Sequence, residues 1–141
     1  MFFSDIILFR KDLTPNRSTP LKILLVDDSN TMRRIQANTL KSIGYEDVVQ
    51  AADGKEAIDA LRANPDVSLV LMDWNMPNMT GIEALRAIKA DADLKAKPVI
   101  MVTSESEKSR IVEAVQAGAA NYVVKPFDVD TLQEKILATV K

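Results

Sequence analysis

The 141-residue chain contains no cysteine and no histidine. Without cysteine it can make no disulfide, no thiolate metal site and no thiol nucleophile. Without histidine it lacks Ser-His-Asp catalysis, imidazole metal ligands and the commonest general base. It also lacks a basic excess: 18 Lys and Arg stand against 20 Asp and Glu, for a net charge of -2. That balance excludes the electrostatic footprint of a nucleic-acid binder. No apolar run is long enough to span a bilayer, and a cytoplasmic protein is expected. Carboxylates, lysines, hydroxyls and backbone are left to carry any chemistry. A bound metal is then expected to be a hard, oxygen-seeking cation such as Mg²⁺. The length, with 47% apolar and 27% charged residues, suits one globular domain with its own core.

Residues 1–20 read differently from the rest. Ile6 to Phe9 is a short apolar run, followed by Arg10 and Lys11 and then by the linker-like Thr14-Pro15-Asn16-Arg17-Ser18-Thr19-Pro20. No basic residue precedes the run and no small-residue cleavage site follows it, so a signal peptide fits poorly. The expectation is an N-terminal extension over 1–20, flexible or non-native, ahead of one domain over 21–141.

From Lys22 the pattern alternates between strand and helix. Ile23 to Val26 reads as a buried strand ending in Asp27-Asp28. Ser29 or Asn30 can cap a helix to Ile43 that Gly44 stops, with Met32, Ile35, Leu40 and Ile43 on its inner arc. Val48 to Ala52 is a second strand, and Asp53 with Glu56 makes a capping-box-like helix start. Ser68 to Asp73 is a third strand, followed by a helix over Ile82 to Ala90. Val99 to Val102 is a fourth strand, and Ser106 can cap a helix to Ala117. Tyr122 to Val124 is a fifth. Asp128 can cap a last helix with Val129, Leu132, Ile136 and Val140 as its core stripe. Five such units with non-alternating apolar strands predict an α/β fold: a parallel sheet covered on both faces, with right-handed crossovers.

The strand ends carry the chemistry. Strand one ends in Asp27-Asp28, strand three in Asp73, strand four in Thr103 and strand five in Lys125. Parallel strands bring their carboxyl ends to one edge, where ligands collect in open α/β sheets. An isolated strand-end Asp is usually a helix cap or turn former. That bland reading loses force when three carboxylates, a hydroxyl and a lysine converge. Three carboxylates in one pocket repel, and a divalent cation and the Lys125 ammonium are the available remedies. Mg²⁺ takes one or two carboxylates plus waters and a phosphate oxygen, leaving a carboxylate that can attack phosphorus. Thr103 and Lys125 would then stabilise the phosphoryl oxygens.

Four stretches carry a resemblance. They are Leu-Val-Asp-Asp-Ser-Asn-Thr-Met-Arg-Arg, Met-Asp-Trp-Asn-Met-Pro-Asn-Met, Ile-Met-Val-Thr-Ser-Glu and Gln-Ala-Gly-Ala-Ala-Asn-Tyr-Val-Val-Lys-Pro-Phe. Over residues 21–141 the chain resembles the receiver domains of two-component response regulators, in particular the single-domain chemotaxis regulators of CheY type. The resemblance implies a flavodoxin-like, CheY-like three-layer (βα)5 fold with strand order 2-1-3-4-5, an order taken from the family. It implies Asp73 as phosphoacceptor, and Mg²⁺ held by Asp28, Asp73 and the Asn75 backbone carbonyl, with Asp27 acting through a water. It implies Thr103 and Lys125 at the phosphoryl group, Tyr122 as an aromatic switch and a cis Lys125-Pro126 peptide. The expected output face joins the fourth helix, fifth strand and fifth helix: Lys108, Ile111, Val115, Tyr122 and Lys135. Part of that helix side must be core, Val115 first among its candidates.

The implied partners are a histidine kinase as phosphodonor, the flagellar motor switch or another output protein, and a phosphatase, with the chain acting as a monomer. Neither a membrane nor nucleic acid is among the partners expected, and the protein is a switch, not an enzyme on other substrates. Two departures stand out. Thr80 replaces a frequent Asp, with little effect expected on a loop, and Ser104 replaces Ala after Thr103. Two other readings compete: a standalone receiver in a relay outside chemotaxis, and an Asp-nucleophile Mg²⁺ phosphatase. The phosphatase class carries Asp-x-Asp after its first strand and a cap domain. Here Asp27-Asp28 has no spacer and no insertion could form a cap.

Overall fold

A computed structural model describes residues 21–104 and 108–140, without the side chain of Lys108. The expected 1–20 extension and the Ser106 cap lie outside these residues. Five strands alternate with five helices: β1 (Lys22–Val26), α1 (Asn30–Ser42), β2 (Asp47–Ala51), α2 (Gly54–Ala63), β3 (Leu69–Asp73), α3 (Gly81–Ala90), β4 (Val99–Thr103), α4 (Lys108–Gln116), β5 (Asn121–Val124) and α5 (Val129–Thr139). All neighbouring strands pair in parallel, in the order β2-β1-β3-β4-β5. The order implied by the family is therefore the one observed. Boundaries shift by a residue or two: β2 begins at Asp47, β4 runs on to Thr103, and α4 ends at Gln116. Such shifts follow the last hydrogen bond of each ladder rather than the apolar run.

The inner strands β3 and β4 are buried at every position, as a sheet covered on both faces requires. Alternate residues of each strand feed two cores. Leu24, Val26, Val70, Met72, Val99 and Met101 pack with Leu61, Leu85 and Ile88 beneath α2 and α3. Ile23, Leu25, Leu71, Ile100 and Val102 pack with Leu40, Leu132 and Ile136 beneath α1 and α5.

The helix termini are written in the sequence. Ser29, Asp53 and Asp128 each accept the backbone N–H three residues on. Gly44 and Gly118, at φ 102° and 105°, close α1 and α4 with paired bonds back to the helix end. Tyr45 donates to the Leu40 carbonyl and Gly44 to Lys41, and Ala119 donates to Ala114 and Gly118 to Val115. Thr80 is not an idle loop residue: it caps α3 in a full capping box with Glu83.

Two expected core stripes need correction. In α1 the buried residues are Gln36 and Leu40, while Ile35 is 51% exposed. The inward stripe follows the i, i+4 pair Gln36 and Leu40, and Ile35 falls to its side, facing a groove against Phe127. In α5 Leu132 and Ile136 are buried, but Val129, at the first turn, is exposed.

Candidate functional site

The strand order places the end of β1 beside that of β3, with β4 and β5 next along the same edge. Asp27, Asp28 and Asp73 converge there, and their carboxylate oxygens lie within 4.8 Å of one another. Asp27 and Asp73 are buried at 2% and 8% exposure, while Asp28 opens to solvent. Lys125 arrives from the end of β5. Its Nζ lies 3.1 Å from Asp27 Oδ2 and 3.1 Å from Asp73 Oδ1, bridging the two buried carboxylates. The Lys125 N–H donates to the Thr103 carbonyl at 2.7 Å, which seats the lysine against β4. Thr103 itself is 3% exposed at the end of that strand. The Lys125-Pro126 peptide is cis, as the family resemblance implied.

The charges are arranged in tension. Burial pushes the Asp73 carboxyl above its ordinary range; Lys125 pulls it back, while Asp27 and Asp28 push it up further. Burial works to lower the Lys125 ammonium, but its bonds to Asp27 and Asp73 prevail and hold it above its ordinary value. The two directions agree physically. One ammonium shared by two carboxylates is well satisfied, whereas a buried carboxylate with two acidic neighbours and a half share of one cation is not. The donor set is all oxygen, and it is under-neutralised by its single lysine. That is the environment in which a hard divalent cation fits.

The loops behind the triad are held from several sides. Ser29 N–H donates to Asp27 Oδ1 at 2.9 Å. Arg33, not singled out in the sequence, donates to the Asp27 carbonyl and to Asn30 Oδ1, and its Nε reaches Gln50 Oε1 at 3.0 Å. It ties α1, the first loop and the end of β2 together. Its only signal was the Arg-Arg pair after Asp27-Asp28. After Asp73, Trp74 donates to the Val102 carbonyl at 3.0 Å and accepts from Gly81 at 2.8 Å. A Cβ on Gly81 would lie 2.0 Å from the Asp73 carbonyl oxygen, so only glycine permits this approach. Trp74 is buried, and the Arg110 guanidinium of α4 stacks 4.8 Å above its ring.

Of the expected output residues, Ile111 and Tyr122 are half-buried. Lys135 Nζ sits 4.7 Å above the Tyr122 ring. Val115, the expected core candidate of α4, is 59% exposed, and Ala114 is the buried residue of that turn. Val112 and Leu137, which the sequence reading passed over, are also exposed at 43% and 42%. Asn75, the expected carbonyl donor, lies exposed in the loop after β3.

The carboxyl edge of a flavodoxin-like sheet thus gathers an acidic triad around a shared lysine. The response regulator receiver domain profile matches residues 23–137, and the chain belongs to that family. It is 47% identical to the chemotaxis protein CheY1 of Helicobacter pylori over 116 residues, which are 82% of this chain and 94% of that protein. It is equally 47% identical to the CheY homolog of Campylobacter jejuni, covering 82% of this chain and 89% of that one. The structure of Vibrio cholerae chemotaxis protein CheY4 superposes with TM-score 0.78 at 35% identity, covering 85% of this chain and 98% of the other. A CheX–CheY–BeF3–Mg complex from Borrelia burgdorferi contains a chain that matches with TM-score 0.79 at 28% identity, over 84% of this chain and 88% of that one.

Proposed function

We propose that this chain is a chemotaxis response regulator that accepts a phosphoryl group on Asp73 and signals by phosphorylation-dependent binding to another protein. The carrying observation is the bridge from Lys125 to Asp27 and Asp73 at the edge where three carboxylates meet. Asp28, Asp73 and the Asn75 carbonyl would hold Mg²⁺, with Asp27 acting through a water. Magnesium, when bound, supplies positive charge against the triad and the incoming phosphoryl oxygens.

The chain's own groups do the rest. An oxygen of Asp73 forms the new bond to phosphorus as the bond to the donor's imidazole nitrogen breaks. This chain has no histidine of its own, so the donor is external, a histidine kinase. Lys125 keeps its ammonium and moves its share of charge toward the phosphoryl oxygens. Thr103 donates its hydroxyl to them. Both relatives compared by sequence are chemotaxis proteins, which favours a flagellar motor switch protein as the output partner. The complex of the Borrelia burgdorferi neighbour with BeF3 and Mg supports a phosphate-mimic-ready site in this fold.

Incubation with Mg²⁺ and acetyl phosphate should give one acid-labile adduct, on Asp73, lost in Asp73→Asn. Capture with and without beryllofluoride should then recover a motor switch protein only from the loaded form. An adduct on Asp27 or Asp28, or labelling that persists in Asp73→Asn, would sink the phosphoacceptor assignment. Recovery of a relay protein instead would move the chain outside chemotaxis.

A further inference from the structure

The loop from β3 to α3 carries Asn75, the expected carbonyl donor, and Trp74 and Gly81 anchor its two ends. Its middle is held by a different element. Asn78 takes a left-handed backbone, φ 67°, a region that asparagine enters more readily than most residues. The Asn78 Nδ2 donates to Asp53 Oδ2 at 2.9 Å. The other oxygen of the same carboxylate accepts the Glu56 N–H at 2.8 Å as the cap of α2. The two backbones also meet directly, with Gly54 N–H donating to the Met79 carbonyl at 3.3 Å. A Cβ on Gly54 would lie 2.8 Å from Met79 Cγ and 2.9 Å from Ala84 Cβ, so the contact is tight as well as hydrogen-bonded. Asp53 is only 9% exposed, and the Glu56 N–H and the Asn78 amide hold its carboxyl below the usual range.

Helix capping alone does not require this arrangement, since a serine hydroxyl caps as well as a carboxylate. What the carboxylate adds is a second acceptor, and it is spent on the loop three residues beyond Asn75. We infer that the Asp53–Asn78 pair is a positioning device for the cation site, fixing the β3–α3 loop so that the Asn75 carbonyl is presented to the acidic triad. The inference rests on the reading that the triad binds Mg²⁺. A backbone carbonyl binds a cation more tightly when its loop is already set, because less ordering cost falls on the binding step. Groups that orient ligands in this way govern affinity without touching the metal.

The test separates brace from cap and brace from stability. Asn78→Gly keeps the left-handed backbone and removes the amide. Asp53→Ser keeps a cap and is too short to reach Asn78. Ala57→Gly loosens α2 without altering either side chain and serves as a stability control. Mg²⁺ affinity is measured by calorimetry for these, for the Asp53→Ser/Asn78→Gly double variant and for Asp28→Ala. We expect each single variant to bind Mg²⁺ about tenfold more weakly. The double variant should be no weaker than either single, because the two side chains form one contact. Ala57→Gly should melt lower yet keep wild-type affinity. Wild-type affinity in both Asn78→Gly and Asp53→Ser, or equal weakening in Ala57→Gly, overturns the inference while leaving the cation site standing. Failure of the wild type to bind Mg²⁺, or binding undiminished in Asp28→Ala, removes the cation reading and this inference with it.

Discussion

Asp73 is buried beside two other carboxylates, and its folded-state pKa lies above the ordinary 3.8. The native state therefore holds the Asp73 proton more tightly than the unfolded state does. By linkage, the contribution of Asp73 to stability is fullest below 3.8 and falls as pH rises through the raised folded value. At neutral pH the ionised group is a net burden on the cation-free protein. Asp73→Asn removes that charge and keeps the shape. In EDTA at pH 7 the variant is expected to melt above the wild type, with the gap closing as pH falls toward the raised pKa. Equal or lower melting of the variant at pH 7 would show that the Lys125 bridge outweighs burial and repulsion. The same residue illustrates how far local reading reaches: Asp73 was legible as a carboxylate ending an apolar run, but its burial and its sharing of Lys125 depend on three other strands, β1, β4 and β5.

At the scale of elements, α4 exposes Val112 and Val115, α5 exposes Leu137, and Lys135 of α5 sits over the Tyr122 ring of β5. Apolar side chains flanked by lysine suit the apolar face of an acidic amphipathic helix. In the proposed switch, coupling to Asp73 would run through Thr103, whose movement toward a phosphoryl group would leave space for the Tyr122 ring. Tyr122→Ala and Lys108→Ala are expected to weaken partner binding about tenfold and to reduce its dependence on beryllofluoride. Unchanged affinity and unchanged dependence in both would place the output surface elsewhere. Arg110 of α4 stacks on Trp74, the single tryptophan, which directly follows Asp73 in the chain. Its emission is expected to change on Mg²⁺ addition, and that change should vanish in Asp28→Ala. A response that survives in Asp28→Ala would locate the metal outside the triad.

For the whole molecule, cation binding at the proposed site would be linked to folding. A ligand that binds only the native state at a hundredfold excess over its Kd adds about 2.7 kcal/mol of stability. Thermal melting of the wild type should therefore rise with Mg²⁺ concentration, and that of Asp28→Ala should stay flat. A monomer also melts independently of its own concentration, and a midpoint that climbs with protein concentration would reveal self-association. Among the described residues no helix is long and apolar enough to cross a membrane, in keeping with the absence of long apolar runs.

Apolar runs, caps and helix stops depend on neighbours close in the chain, which is why five β–α units could be read from the residues alone. So could Asp27, Asp28, Asp73, Thr103 and Lys125, because each ends a strand and parallel strands end together. Strand order came from family resemblance, since nothing local says which strands pair. Exposure of Ile35, Val129 and Val115 also escaped the residues: a helical arc is wide, and only packing against a particular sheet decides which edge of it is covered. The Arg33 clasp, the Arg110 stack and the Asp53–Asn78 brace belong to the tertiary structure alone. Each joins residues of different elements through side-chain geometry, and such contacts exist only once the sheet has set the distances between them.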